Sequence, residues 1–144
     1  MSETTTRRWT TIVTVISMLI VAEAITFLLA TLVHVGIPIP LGFSEPRIIP
    51  AAIVEGLCWL FLSVSAYAVF ARKTWAWGVA VAAHVFAVVG VLLGIFATTR
   101  GNATEANFIY HRVMLVVLIV VLAGLLIPGV RAALGRSNQA LQEG

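Results

Sequence analysis

Residues 76–101 read AWGVAVAAHVFAVVGVLLGIFATTRG, and this stretch decides the fold predicted for the chain. Small residues recur along it in alternating steps of four and three, which keeps them on one face of a helix. This small-residue row consists of Ala76, Ala80, Ala83, Ala87, Gly90, Gly94, Ala97 and Gly101. Apolar helices gain no hydrophobic free energy by touching in lipid, so close approach between small residues supplies the packing. We therefore expect the other helices to pack around this one, with Ala83, Ala87, Gly90 and Gly94 at the contact.

The composition predicts an integral membrane protein. Hydrophobic residues make up 60% of the 144 residues, charged residues 10%, and the mean hydropathy is +1.05. Soluble proteins average about 45–50% apolar and about 25% charged residues. Four segments are long enough to cross a hydrocarbon core of about 30 Å: residues 9–35, 50–71, 75–99 and 107–127. These segments predict an all-α, four-span up-and-down bundle in contact with the lipid bilayer, with no room for a nucleic-acid-binding domain.

The distribution of Lys and Arg predicts the orientation. With both termini in the cytoplasm, the inner side carries Arg7, Arg8, Arg72, Lys73, Arg131 and Arg136, and the outer side carries only Arg47, Arg100 and Arg112. Positive residues are retained on the cytoplasmic side during insertion, so we expect both termini inside a bacterial plasma (inner) membrane. The first apolar run is too long for the core of a signal peptide, and we expect it to stay as a span.

The connections contain recognisable start and stop signals. Pro50 suits the first turn of the second span, and Thr104 suits the N-cap of the fourth. Residues 72–74 form a turn so short that the second and third spans must be antiparallel neighbours. Pro128 is expected to end the fourth span, followed by a polar, disordered tail.

Ionisable residues within the spans are the candidates for function, because each costs about 2.5 kcal/mol or more at the bilayer centre when unpaired. They are Glu23, Glu55, His84, His111 and Arg112, with His34 near a helix end. At 1.5 Å per residue, Glu55 and Arg112 lie at similar depth near the outer side. We expect them to pair through charge-assisted hydrogen bonds, extended by Asn107 and His111.

A second, deeper layer is predicted from Glu23 and His84, which come from different helices at similar depth. One face of the first helix carries Glu23, Ala30 and His34. We therefore expect this face to form the polar lining of the bundle. Residues 116–127 of the fourth span carry no polar side chain. Any cavity is therefore expected at the outer side.

The leading functional hypothesis is that this outward-facing cluster binds or transports a small ligand or a cation. Burial disfavours the charged form of a carboxylate, so Glu23 and Glu55 suit proton exchange. His34 and Asn107 would support the site. The structural alternative is that the Glu55 and Arg112 pair only fixes the helix register.

Other hypotheses stay open at this point. The chain could be a non-catalytic accessory or assembly subunit that binds a second copy, or another membrane protein, through the third helix. It could also be a metal-binding protein or a membrane enzyme that modifies a lipid or quinone. The depths of His84 and His111 differ by about 16 Å, which argues against a haem between them. No motif indicates catalysis, so we assign neither a cofactor, nor a metal ligand, nor an enzyme activity.

Overall fold

The computed structural model describes residues 3–39, 45–101 and 103–135, and these residues form five helices. The helices are α1 (Glu3–Val35), α2 (Ile49–Phe70), α3 (Ala76–Arg100), α4 (Glu105–Leu126) and α5 (Pro128–Gly135). Four apolar stretches within them are long enough to cross a membrane: Thr11–Val35, Ile49–Phe70, Ala76–Arg100 and Glu105–Leu126. They agree with the four predicted segments to within a few residues.

Successive helices run antiparallel. The Trp77 indole near the start of α3 donates a hydrogen bond of 2.9 Å to the carbonyl of Leu125 near the end of α4. The largest contact is between α1 and α2, followed by those of α3 with α4 and with α2. The α4 helix returns to α1 through a smaller contact. The expectation that the other helices surround α3 is therefore wrong, because α1 packs chiefly on α2 and lies across the bundle from α3.

The two ends of the bundle differ in their connections. At the loop end, where α1 and α3 finish, Thr104 accepts a hydrogen bond from the backbone N–H of Asn107 at 3.2 Å, which confirms the predicted N-cap. Pro50 lies in the first turn of α2, as predicted. At the opposite end, called the α5 end, Arg72 takes a φ of 50° in the short turn that joins α2 to α3.

The α5 helix corrects the prediction of a disordered tail beyond Pro128. Proline is tolerated at the first position of a helix, where its missing N–H has no partner to lose, so Pro128 begins a new helix here. Val130 and Leu134 are buried, and the Arg131 guanidinium stacks over the Trp77 ring at 4.4 Å. The helix thus closes the α5 end of the bundle. Residues 136–144 lie outside the described residues.

The small-residue row is used largely inside the bundle. Its first four members are buried: Ala76, Ala80, Ala83 and Ala87. A Cβ added to Gly90 would lie 3.0 Å from Val54 and 3.2 Å from Cys58 of α2, while Gly94 packs against His111 of α4. The row therefore lets α2 and α4 approach α3 closely. Binding of a second copy or another membrane protein through α3 stays a prediction.

Candidate functional site

A buried hydrogen-bonded pair of His84 and Glu23 crosses the middle of the bundle. His84 Nε2 of α3 lies 2.9 Å from Glu23 Oε2 of α1, and both residues are at most 2% exposed. The proximity predicted from their similar depth is confirmed. Since α1 and α3 otherwise touch little, this pair is the main polar link across the bundle.

The hydrogen bonds of His84 show where its protons lie. The other ring nitrogen, Nδ1, is 2.7 Å from the carbonyl of Ala80. A carbonyl only accepts, so Nδ1 carries a hydrogen. One further proton must then lie between Nε2 and the Glu23 carboxylate, bonded to one or the other. The second oxygen, Glu23 Oε1, has no hydrogen-bond partner among the described residues.

A second buried pair lies at the loop end. His34 Nδ1 of α1 is 2.7 Å from Glu55 Oε2 of α2, and the amide of Asn107 on α4 is 3.4 Å from His34 Nε2. His34, Glu55 and Asn107 are 3%, 5% and 6% exposed. Three helices are thus joined by one chain of polar side chains.

The predicted pair between Glu55 and Arg112 is wrong. Arg112 is exposed, and its guanidinium stacks on the Phe108 ring, 3.4 Å from the ring centre. The buried face of α4 carries Asn107, His111 and Met114. Arg112 follows His111 directly, so it is turned by about 100° away from that face. Their similar depth predicted that Glu55 and Arg112 would meet. The helical period of α4 instead turns Arg112 to the exposed face.

His111 lies on the buried face of α4 but turns toward α3. Its Nδ1 donates a hydrogen bond of 2.9 Å to the carbonyl of Asn107, and its ring packs against Gly94. Among the described residues, no hydrogen bond joins His111 to His34 or Glu55. Of the two residues expected to extend the outer network, Asn107 does so and His111 instead fills the gap that Gly94 leaves.

A cavity of about 200 Å³ lies between α1 and α4 at the loop end. Its walls are almost entirely apolar. Ten of the described residues line it: Thr26, Leu29, Ala30, Val33, His34, Ile39, Glu45, Ala106, Asn107 and Tyr110. The cavity lies at the end of the bundle that the charge distribution predicts to face outward. We call it the α1–α4 cavity.

Three of the residues that line this cavity carry an unpaired polar atom. Glu45 Oε2, Asn107 Oδ1 and Tyr110 Oη are buried and have no hydrogen-bond partner among the described residues. The other carboxylate oxygen of Glu45 accepts a hydrogen bond from Thr104. Sequence reasoning did not assign Glu45 or Tyr110 to the site. Tyr110 had a signal, because it lies three residues after Asn107 on the same side of α4; Glu45 had none, because its position depends on how the connection before α2 folds back.

The described residues do not bring together three or more His, Cys, Asp or Glu side chains in a way that could hold a metal ion. The metal-binding, lipid- or quinone-modifying and assembly hypotheses stay predictions. Comparison with known proteins finds no matching family model, no matching curated protein and no matching solved structure. The cavity and the buried polar side chains are therefore the features from which we infer a function.

Proposed function

We propose that the chain is a multi-pass membrane protein, with α1 to α4 as its spans, that binds a small ligand in the α1–α4 cavity. Support for the membrane comes from the outward faces of these helices, which expose large apolar side chains such as Val15, Ile25, Leu93 and Val120. Faces of this kind suit hydrocarbon and would be costly in water. The excess of Lys and Arg at the α5 end supports cytoplasmic termini in a plasma (inner) membrane.

The observation that carries the binding function is the α1–α4 cavity itself. Ligand sites are typically concave and mostly apolar, with a few polar groups that fix orientation. A dry cavity of about 150 Å³ accepts benzene, so one of about 200 Å³ suits a single ring with a short polar tail. His34 and Asn107 supply buried polar groups beside apolar walls.

The two buried pairs take different parts in this proposal. Glu55 holds the His34 ring from behind, and neither Glu55 nor the deeper pair lines the cavity. Glu23 and His84 join α1 to α3 below it, and so fix the wall that α1 contributes. Their shared proton makes them the candidates for any coupling between ligand binding and proton exchange.

Filling the cavity should abolish binding. Ala30→Phe places a ring in the space that the ligand needs, so we expect the affinity for 2-phenylethanol to fall by about tenfold or more, equivalent to about 1.4 kcal/mol. Binding is measured by equilibrium dialysis against the protein in phosphatidylcholine nanodiscs. Ala22→Phe is the matched control, because Ala22 lies on the exposed face of the same helix and does not line the cavity.

Ala106→Leu provides a second cavity-filling variant from α4, in case Ala30→Phe disturbs the fold. If 2-phenylethanol binds saturably and equally tightly to Ala30→Phe, Ala106→Leu and the Ala22→Phe control, its binding site lies outside the α1–α4 cavity. No saturable binding of 2-phenylethanol or of its charged analogues to the unaltered protein would contradict the proposed function.

A further inference from the structure

We infer that the ligand is a small amphiphile with an ammonium group, whose apolar body fills the α1–α4 cavity and whose ammonium meets Glu45 and Asn107. This inference rests on the proposed function and specifies the chemical class of its ligand.

The unpaired atoms are mainly hydrogen-bond acceptors. Buried polar atoms without a partner destabilise the folded state, so they are rare and call for a partner. Glu45 Oε2 and Asn107 Oδ1 are acceptors, and Tyr110 Oη both donates and accepts. All three belong to residues that line the cavity, but the atoms themselves lie beneath its apolar surface, so these side chains must turn for a ligand to reach them. A ligand that donates several hydrogen bonds would satisfy them, whereas one that only accepts would leave the two acceptors unpaired.

The orientation of Asn107 follows from the buried pair behind it. The structure places the Asn107 NH₂ group 3.4 Å from His34 Nε2, while His34 Nδ1 faces the Glu55 carboxylate at 2.7 Å. An NH₂ group only donates, so in this arrangement Nε2 accepts and Nδ1–H donates to Glu55. The carbonyl oxygen of Asn107 is left without a partner among the described residues. Glu55 is therefore a positioning residue that makes Asn107 an acceptor beside the cavity.

The charge of the site favours a cation. No Lys or Arg among the described residues forms an ion pair with Glu45, and Arg100 and Arg112 stack on Phe96 and Phe108. A partly buried carboxylate without a positive partner attracts an ammonium group. Tyr110 adds an aromatic ring to the same lining, and ring faces attract cations.

The apolar walls select an organic cation over an inorganic one. A metal ion needs several charged or carbonyl ligands, and the cavity offers one carboxylate among mostly hydrocarbon surfaces. An inorganic ion would also leave most of the cavity unfilled. An alkyl or aryl ammonium instead places its apolar part against Leu29, Ala30 and Val33.

The test compares three probes of similar shape and different charge: 2-phenylethylammonium, 2-phenylethanol and phenylacetate. Dialysis uses nanodiscs of phosphatidylcholine, whose head group lacks a hydrogen-bond donor and does not compete as a primary amine. We expect the ammonium to bind about tenfold or more tightly than the alcohol, and phenylacetate to bind weakest, because a charged hydrogen bond is stronger than a neutral one.

The variant Glu45→Gln should reduce the preference for ammonium over alcohol to less than about threefold, because glutamine keeps a carbonyl acceptor but removes the negative charge. Glu105→Gln is the matched control, since it removes the same charge from an exposed position near the same end of the bundle. Equal binding of ammonium and alcohol, both lost in Ala30→Phe, would overturn the ligand class and leave the proposed function standing. Tighter binding of phenylacetate, or a preference that survives Glu45→Gln, would overturn the inference in the same way.

Discussion

Replacing Glu23 with leucine is expected to lower the free energy of unfolding by about 3 kcal/mol or more, because breaking a fully buried pair leaves its other member unpaired. His84 Nδ1–H already donates to Ala80, and in this variant Nε2 loses the partner that it has among the described residues. Water cannot replace it, since His84 is fully buried. Unfolding in mixed micelles of increasing sodium dodecyl sulfate content measures the change.

The variant Glu23→Gln tests whether stability depends on the hydrogen bond to His84 or on the negative charge of Glu23. A glutamine NH₂ group can donate to His84 Nε2, so most of the stability should remain. The double variant Glu23→Leu/His84→Leu should be more stable than Glu23→Leu alone, because no polar atom of the pair is then left buried. Full stability in Glu23→Leu would show that the pair does not hold α1 to α3.

Gly94→Ala should lower the free energy of unfolding by about 1–2 kcal/mol. A Cβ at this position would overlap the imidazole of His111, and forcing extra atoms into a packed interior costs about 1–3 kcal/mol. The gain from replacing a helical glycine with alanine, about 0.5–1 kcal/mol, offsets only part of that cost. Unfolding in mixed micelles of increasing sodium dodecyl sulfate content measures this change in the free energy of unfolding.

Two further variants test whether overlap with His111 causes the loss of stability in Gly94→Ala. Gly78→Ala on the same helix meets no atom within 4 Å, so it should be neutral or stabilising. In a His111→Ala background, Gly94→Ala should also become neutral or stabilising, because the overlapping ring is absent. A penalty that persists in that background would mean that the close contact lies elsewhere.

The local features of the fold were predictable because they depend on short-range chemistry. Thr104 as an N-cap, Pro50 in the first turn of α2 and the positions of the four apolar helices follow from the residues themselves. The pair between Glu23 and His84 followed from counting helical rise. The prediction at Pro128 was wrong because proline both ends one helix and begins the next, and only the burial of Val130 and Leu134 decides between the two.

The details of the site depended on rotation and on long-range contacts. Similar depth and opposite charge favoured a pair between Glu55 and Arg112, but depth does not say which face of a helix a residue occupies. The helical period of α4, with Asn107, His111 and Met114 on its buried face, contained the correction. The position of Glu45 could not be predicted, because it is set by the contact of the connection before α2 with Thr104, 59 residues later.

Anomalous diffraction from a brominated ligand tests directly whether the α1–α4 cavity is the ligand site. Crystals grown with 2-(4-bromophenyl)ethylammonium give an anomalous signal from bromine. We expect one bromine between α1 and α4, within a van der Waals contact of about 4 Å of Leu29 or Ala30, with the ammonium toward Glu45. Bromine found only on the lipid-facing surface, or absent from the α1–α4 cavity at a saturating concentration, would contradict the proposal that this cavity is the ligand site.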